Sequence, residues 1–170
     1  KKKTIRSICC LLVCCGWFAA TACYGEEKPA TGFYKDLFMS GGVKLSSRKM
    51  LPAAESLKLS YEYYAGKDPA KQNELFSGSA NDTNGVLLYP DGQPRFRLLY
   101  VNGGSATLHG KSLELSGRQA VRQFYNQGGS YCGSCAGSFL SGRNVDSKTP
   151  RRLGYLHIFP FNTLNTGLKK

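Results

Sequence analysis

The chain has 170 residues, 41% of them hydrophobic, and a formal net charge of +12 from 23 basic and 11 acidic residues. It contains neither an internal repeat nor a low-complexity tract, so a single folded domain is the simplest organisation. The positive charge is scattered, with no basic stripe interleaved with aromatic residues, and this excludes a nucleic-acid-binding reading.

In chain order, the first element is a targeting segment. Lys1, Lys2, Lys3 and Arg6 form a positive n-region, residues 8–20 an apolar stretch, and Ala20-Thr21-Ala22 a small-residue cleavage site. The apolar run is too short for a comfortable transmembrane helix. Residues 1–22 are therefore expected to be a secretory signal peptide, and the mature protein to be secreted or periplasmic. Cys23 follows directly and is a candidate lipidation site, although Ala20 stands where lipoprotein signals usually carry leucine; ordinary cleavage is the alternative. Membrane anchoring is expected only through a lipidated Cys23.

Removing this segment changes two counts. Five of the seven cysteines (Cys9, Cys10, Cys14, Cys15 and Cys23) lie in it or at its edge, leaving only Cys132 and Cys135, which excludes a cysteine-stapled miniprotein. Four of the 23 basic residues lie in it too, leaving 19 against 11 acidic, a net of +8. The one small cluster, Arg143, Lys148, Arg151 and Arg152, reads as solvated basic surface, with weak attraction to an anionic envelope surface as the alternative.

Residues 23–32 read as a linker and 33–170 as the domain. A first strand is predicted over 35–39, ended by Ser40-Gly41-Gly42. Residues 46–57 have helical spacing with Ser46 or Ser47 as N-cap, but Pro52 places the start of the helix near itself. An aromatic-rich strand follows over 59–64 and a short helix over 69–76. Residues 85–89 and 95–101 flank Pro90-Asp91-Gly92-Gln93-Pro94, a turn-rich link that predicts an antiparallel hairpin. Asn102-Gly103-Gly104 comes next. A helix is predicted over 116–127 with Ala120, Val121 and Phe124 on its apolar face and Gly128-Gly129 closing it. A short strand over 130–132 and a helix over 136–140 complete the pattern. Alternation of strands and helices predicts an open α/β fold: a mostly parallel, flavodoxin-like sheet flanked by helices, with the hairpin as an insertion. Such sheets normally continue past a nucleophile at a strand end, and only 35 residues follow Cys135. The domain is accordingly expected to be incomplete at its C-terminus.

The junction between the last strand and helix carries the chemistry. Gly128-Gly129-Ser130-Tyr131-Cys132-Gly133-Ser134-Cys135-Ala136-Gly137-Ser138-Phe139 runs strand, Gly-x-Cys-x-Gly, helix, which is the nucleophile-elbow pattern with cysteine in the serine position. Gly133 and Gly137 are needed because so sharp a turn leaves no room for side chains on both flanks. A thiolate at the turn is stabilised by the backbone N–H groups that open the next helix. Cys132 and Cys135 also form a C-x-x-C pair, the second reading, of a thiol–disulfide redox site or a disulfide that silences the thiol. Layout disfavours the redox reading: the pair comes late in the domain, and Cys132 points to a sheet face while Cys135 sits on the turn.

Ser40-Gly41-Gly42-Val43, Tyr100-Val101-Asn102-Gly103-Gly104 and the elbow, taken together, resemble the class I glutamine amidotransferase-like superfamily. The resemblance is closest to the branch represented by the N-terminal domain of some biotin-protein ligases, whose elbow reads Gly-Gly-x-Tyr-x-Gly-x-Cys-Ala-Gly, and it covers about residues 35–142. It implies Cys135 as nucleophile, an oxyanion hole from the backbone of Gly103, Gly104 and Ala136, and Gly133 and Gly137 as elbow glycines. The implied function is an exported cysteine hydrolase acting on C–N bonds of a small-molecule or peptide amide, without cofactor or metal. A non-catalytic ligand- or partner-binding member of the same fold is the alternative, and a thiol–disulfide oxidoreductase a lesser one. The chain also departs from the pattern. It lacks the His and acidic partner that amidase members carry well beyond the elbow, and Ala136 stands where protease-like members carry a His. His109, soon after the Asn-Gly-Gly turn, is a candidate base against the more ordinary reading of a surface-loop histidine. His157, in an apolar strand-like segment, reads as structural.

Overall fold

The computed structural model describes residues 32–40, 50–65, 69–78, 84–143, 154–160 and 162. The expected signal segment, Cys23, the expected linker up to residue 31, Gly41-Gly42-Val43, Ser46, Ser47, Lys148, Arg151 and Arg152 lie outside the described residues.

Nine elements follow one another: β1 (Lys35–Ser40), α1 (Leu51–Ser56), β2 (Tyr61–Tyr64), α2 (Pro69–Ser77), β3 (Phe96–Val101), α3 (Ala106–Ser112), α4 (Glu114–Asn126), β4 (Ser130–Gly133) and α5 (Ala136–Ser141). The strands form one four-stranded sheet in the order β2-β1-β3-β4, and every pairing is parallel. This is the open α/β, flavodoxin-like sheet that the alternation predicts.

β1 and β3 are central, and their apolar side chains alternate between two layers. Leu37 and Met39 pack with Ala54 of α1 on one face. Phe38, Leu99 and Val101 join Phe76 of α2, Val121 and Phe124 of α4 and Leu140 of α5 on the other. The chain lays β2 on one side of β1 and then reverses to add β3 and β4 on the other. Crossovers in parallel sheets keep one hand, so the reversal sends α1 to one face and the later helices to the opposite face.

Local signals set most element boundaries. Pro52 lies in the first turn of α1, where its missing N–H costs nothing, so α1 starts beside it at Leu51, while residues 46–49 of the expected span lie outside the described residues. Gly128, at φ 97, follows α4, and Gly129 N–H reaches back to Phe124 O at 2.9 Å. That closure is the predicted one, and Ala120, Val121 and Phe124 are buried as the helical period requires.

The predicted hairpin is reduced to one antiparallel bridge, Leu88 to Pro94, closed by a tight turn in which Gly92 N–H donates to Tyr89 O at 2.8 Å. The second arm does not stay in the hairpin. From Phe96 it becomes β3, the central parallel strand, because Leu99 and Val101 gain a two-sided core there that a hairpin at the edge would not supply.

Candidate functional site

The sheet reverses its strand order between β1 and β3, and open α/β sheets bind ligands outside the C-terminal strand ends near such a point. Two strand-to-helix junctions meet there. Asn102-Gly103-Gly104 follows β3, and Ser134-Cys135 follows β4, the neighbouring parallel strand. Both lie at the same edge.

The β4–α5 turn has the sharpness its glycines imply. A Cβ built on Gly133 would stand 2.4 Å from the carbonyl carbon of Gly137, and one on Gly137 would stand 2.1 Å from Val101 O. Neither neighbour is a movable side chain; both are backbone. Between the two glycines Cys135 is held at φ 50, ψ −111, the left-handed side of backbone space that non-glycine residues rarely occupy. Strain of this kind costs on the order of 1–3 kcal/mol and persists only where the surroundings impose it.

What imposes it is a set of bonds on every side of the turn. Ser134 N–H donates to Val101 O at 3.0 Å, tying the elbow to the end of β3. Gly137 N–H donates to Ser134 O at 2.9 Å and Phe139 N–H to Cys135 O at 3.1 Å. The Tyr131 hydroxyl donates to Gly137 O at 2.7 Å, Ser138 Oγ donates to Gly133 O, and the Tyr100 hydroxyl shares a 3.0 Å hydrogen bond with Ser134 Oγ. Burial pushes the Tyr131 phenol far above its ordinary value, with the neighbouring Cys132 adding to it, so this brace stays protonated and keeps donating. Tyr131 was visible in the Gly-Gly-x-Tyr motif, but its role as a strut was not.

The Cys135 thiol is free and exposed at the top of this turn, and Cys132 is free and exposed as well. Cys132 pairs in register with Tyr100, one residue back from the strand end, on the sheet face that α1 only partly covers. The following helix, α5, has six residues, so its dipole is short and has little macrodipole to offer a thiol at its N-cap. Among the described residues, neither Ala136 N–H nor Gly104 N–H is taken by a backbone carbonyl.

His109 is the main departure from the sequence reading. It lies in α3, not in a surface loop, and is fully buried. Its Nε2 stands 3.3 Å from Gly103 O. Burial holds its imidazole below the ordinary histidine range, partly opposed by that carbonyl. α3 itself escaped the sequence reading because Gly110 sits mid-helix. The glycine is required there: a Cβ would stand 1.8 Å from Gly154 O.

His157 falls in the segment 154–160, which is not a strand. It packs along the C-terminal end of α5, with Leu156 N–H donating to Leu140 O at 2.8 Å and His157 N–H to Gly142 O at 3.3 Å. Cys135 caps the opposite end of that helix, about 9 Å away at 1.5 Å per residue. Arg122 holds the segment from α4 through Tyr155 O and Leu156 O, giving it a structural part.

Among the described residues no group of three or more metal-ligating side chains gathers, and no helix is long and apolar enough to cross a membrane. Comparison with protein-family models, with curated proteins and with solved structures finds no match.

Proposed function

We propose that this chain is an exported, glutamine amidotransferase-like hydrolase that uses Cys135 as nucleophile against a C–N amide bond. The observation that carries the reading is Cys135 itself, a non-glycine residue forced to φ 50 on a strand-to-helix turn, with its thiol free and exposed. Strained turns of this kind aim a side chain away from the sheet and cluster at functional sites.

The thiolate sulfur bonds to the amide carbon, and the carbonyl oxygen becomes an oxyanion received by Ala136 N–H and Gly104 N–H. The C–N bond then breaks, and the nitrogen leaves with the proton that the thiol lost. Water hydrolyses the thioester, giving the acid and restoring the thiol. Oxyanion donors of this kind contribute about 10²–10³ in rate each.

A second reading, a ligand- or partner-binding member of the same fold, is favoured by the placement of the histidines. His109 is buried against Gly103 O and His157 lies at the far end of α5, so neither sequence candidate stands ready as a general base.

Residue-resolved labelling separates the two. With reduced protein, p-nitrophenyl acetate should acylate Cys135 much faster than Cys132 when each rate is divided by that residue's rate with iodoacetamide. A hydrolase site also releases the acetyl group, and Cys135→Ser removes both events. Equal normalised rates at the two cysteines would leave the binding reading in place.

A further inference from the structure

The geometry points to His109 as the positioning residue of the oxyanion hole, fixing the Gly103–Gly104 peptide plane so that Gly104 N–H faces the elbow side. This rests on the hydrolase reading of Cys135 and extends it to a residue that never touches substrate.

Gly103 C=O and Gly104 N–H belong to the same trans peptide, so they point in opposite directions. Whatever holds the carbonyl therefore aims the N–H. The carbonyl is held from below by His109 Nε2 at 3.3 Å. A carbonyl oxygen only accepts, so Nε2 carries the proton.

Position on the helix makes this reach natural. Ser105 caps α3, its Oγ accepting from Leu108 N–H at 3.4 Å, and His109 comes one turn later, its own N–H donating to Ser105 O at 2.9 Å. Helical side chains lean toward the N-terminus, so the ring lies over the turn that precedes it and under the loop.

The helix is in turn prevented from shifting. Gly110 lies against Gly154 with no room for a Cβ, Arg118 donates to Gly110 O at 2.6 Å, and Ser112 Oγ donates to His109 O at 2.9 Å. On the opposite side of the loop Gly104 is exposed and sits at φ 134, a conformation open to glycine. Two adjacent glycines turn freely unless something fixes the plane between them. A buried neutral imidazole is suited to that task, since it donates one hydrogen bond and brings no charge beside the forming oxyanion.

The test compares two reactions of the reduced full chain, each followed at Cys135 by peptide mass spectrometry. Acylation by p-nitrophenyl acetate passes through an oxyanion: the C–S bond forms and p-nitrophenolate leaves with its electron pair. Alkylation by iodoacetamide forms C–S with loss of iodide and involves no oxyanion. His109→Leu should slow acylation about ten- to hundred-fold, less than the roughly 10²–10³ lost when a donor itself is removed. Alkylation should change by less than about two-fold, and His109→Gln, whose amide reaches the same carbonyl, should restore most of the acylation. A purely structural histidine would move both reactions together or neither, and either result overturns the inference while fast native acylation upholds the hydrolase reading. If native Cys135 acylates no faster than Cys132 on the normalised scale, that reading falls and the inference with it. Should His109→Leu not fold, nitrogen NMR of the native imidazole decides instead: an Nε2–H tautomer is required, and an Nδ1–H tautomer overturns the proposal.

Discussion

The chain turns from strand to helix twice at the same edge of its sheet, after β3 and after β4, and the two turns are held by different means. The β4–α5 turn is backbone against backbone: Gly137 meets Val101 O, Gly133 meets Gly137, and three hydrogen bonds from hydroxyl groups tie the remaining groups. The β3–α3 turn has two adjacent glycines whose plane is set by one imidazole from the next helix. The first turn is rigid by shape, and the glycine peptide plane of the second is held by a hydrogen bond from the next helix. For acyl transfer that division is useful, because the attacking atom must not move, whereas the oxyanion donor needs only its direction fixed.

The strongest way to break this comparison is to add one carbon to each turn. Gly137→Ala places its Cβ into the β3 backbone and should cost about 3 kcal/mol, the upper end of the range for overpacking, because no side chain can swing aside. Gly104→Ala must adopt an unfavourable φ of 134 and should cost about 1–2 kcal/mol. Denaturant midpoints at unchanged slope measure both. Equal losses would mean that the two turns are not held differently.

Next in size is Tyr131→Phe, which leaves the Gly137 carbonyl without its hydroxyl donor and should cost about 1–2 kcal/mol. The same hydroxyl gives a signature in alkali. Its ionisation is raised in the folded protein, so above about pH 10, where an unfolded tyrosine loses its proton, the folded state binds more protons than the unfolded one. Stability should therefore fall as pH rises past that point, and fall less steeply in Tyr131→Phe. An unchanged alkaline limb in the variant would remove Tyr131 from the brace.

The β3–α3 turn has its counterpart in acid. His109 is held below the ordinary value of 6.5, mainly by burial, so under that pH the unfolded chain binds the extra proton first. Stability from this group is present above 6.5 and is lost as pH falls toward the lowered folded value. His109→Gln should flatten that part of the stability profile, as read from unfolding midpoints between about pH 7 and pH 5, around the histidine range. A profile identical to that of the native chain would show that the imidazole is hydrated and not seated under the loop.

These two turns also show what was legible in the sequence. The elbow was readable down to its conformation, because Gly-x-Cys-x-Gly between an alternating strand and a helix has few geometric solutions, and the structure puts Cys135 at positive φ between glycines that admit no Cβ. The parallel sheet was readable from the alternation of elements. The second turn was readable only in part. Its glycines stood out, but α3 did not, since Gly110 interrupts the helical pattern for a reason that lies in a distant residue, Gly154. With the helix missed, His109 looked like a loop residue, and its burial under Gly103 depends on tertiary packing that no local pattern encodes. The hairpin forms only at its turn end for a similar reason: local turn chemistry at Pro90–Pro94 closes the Leu88–Pro94 bridge, but the apolar side chains of β3 gain more from the centre of the sheet than from an edge pairing.

The smallest expected effect has the most informative sign. Cys135 is exposed, so replacing its side chain removes little buried surface, and its carbonyl bond to Phe139 N–H is a backbone bond that any residue keeps. Cys135→Gly would relieve about 1–3 kcal/mol of strain at φ 50, offset by about 0.5–1 kcal/mol of extra chain entropy in the unfolded state. The variant should therefore be more stable than the native protein by about 1 kcal/mol, while losing all acylation at that position. Cys135→Ser keeps the side chain in the same conformation and should leave stability nearly unchanged. A clear loss of stability in Cys135→Gly would mean that the thiol is itself a packing element and that the turn carries no stored strain. A gain means that the fold maintains a conformation against its own stability at the one residue where a nucleophile would have to stand, as expected of a site rather than of a structural bend.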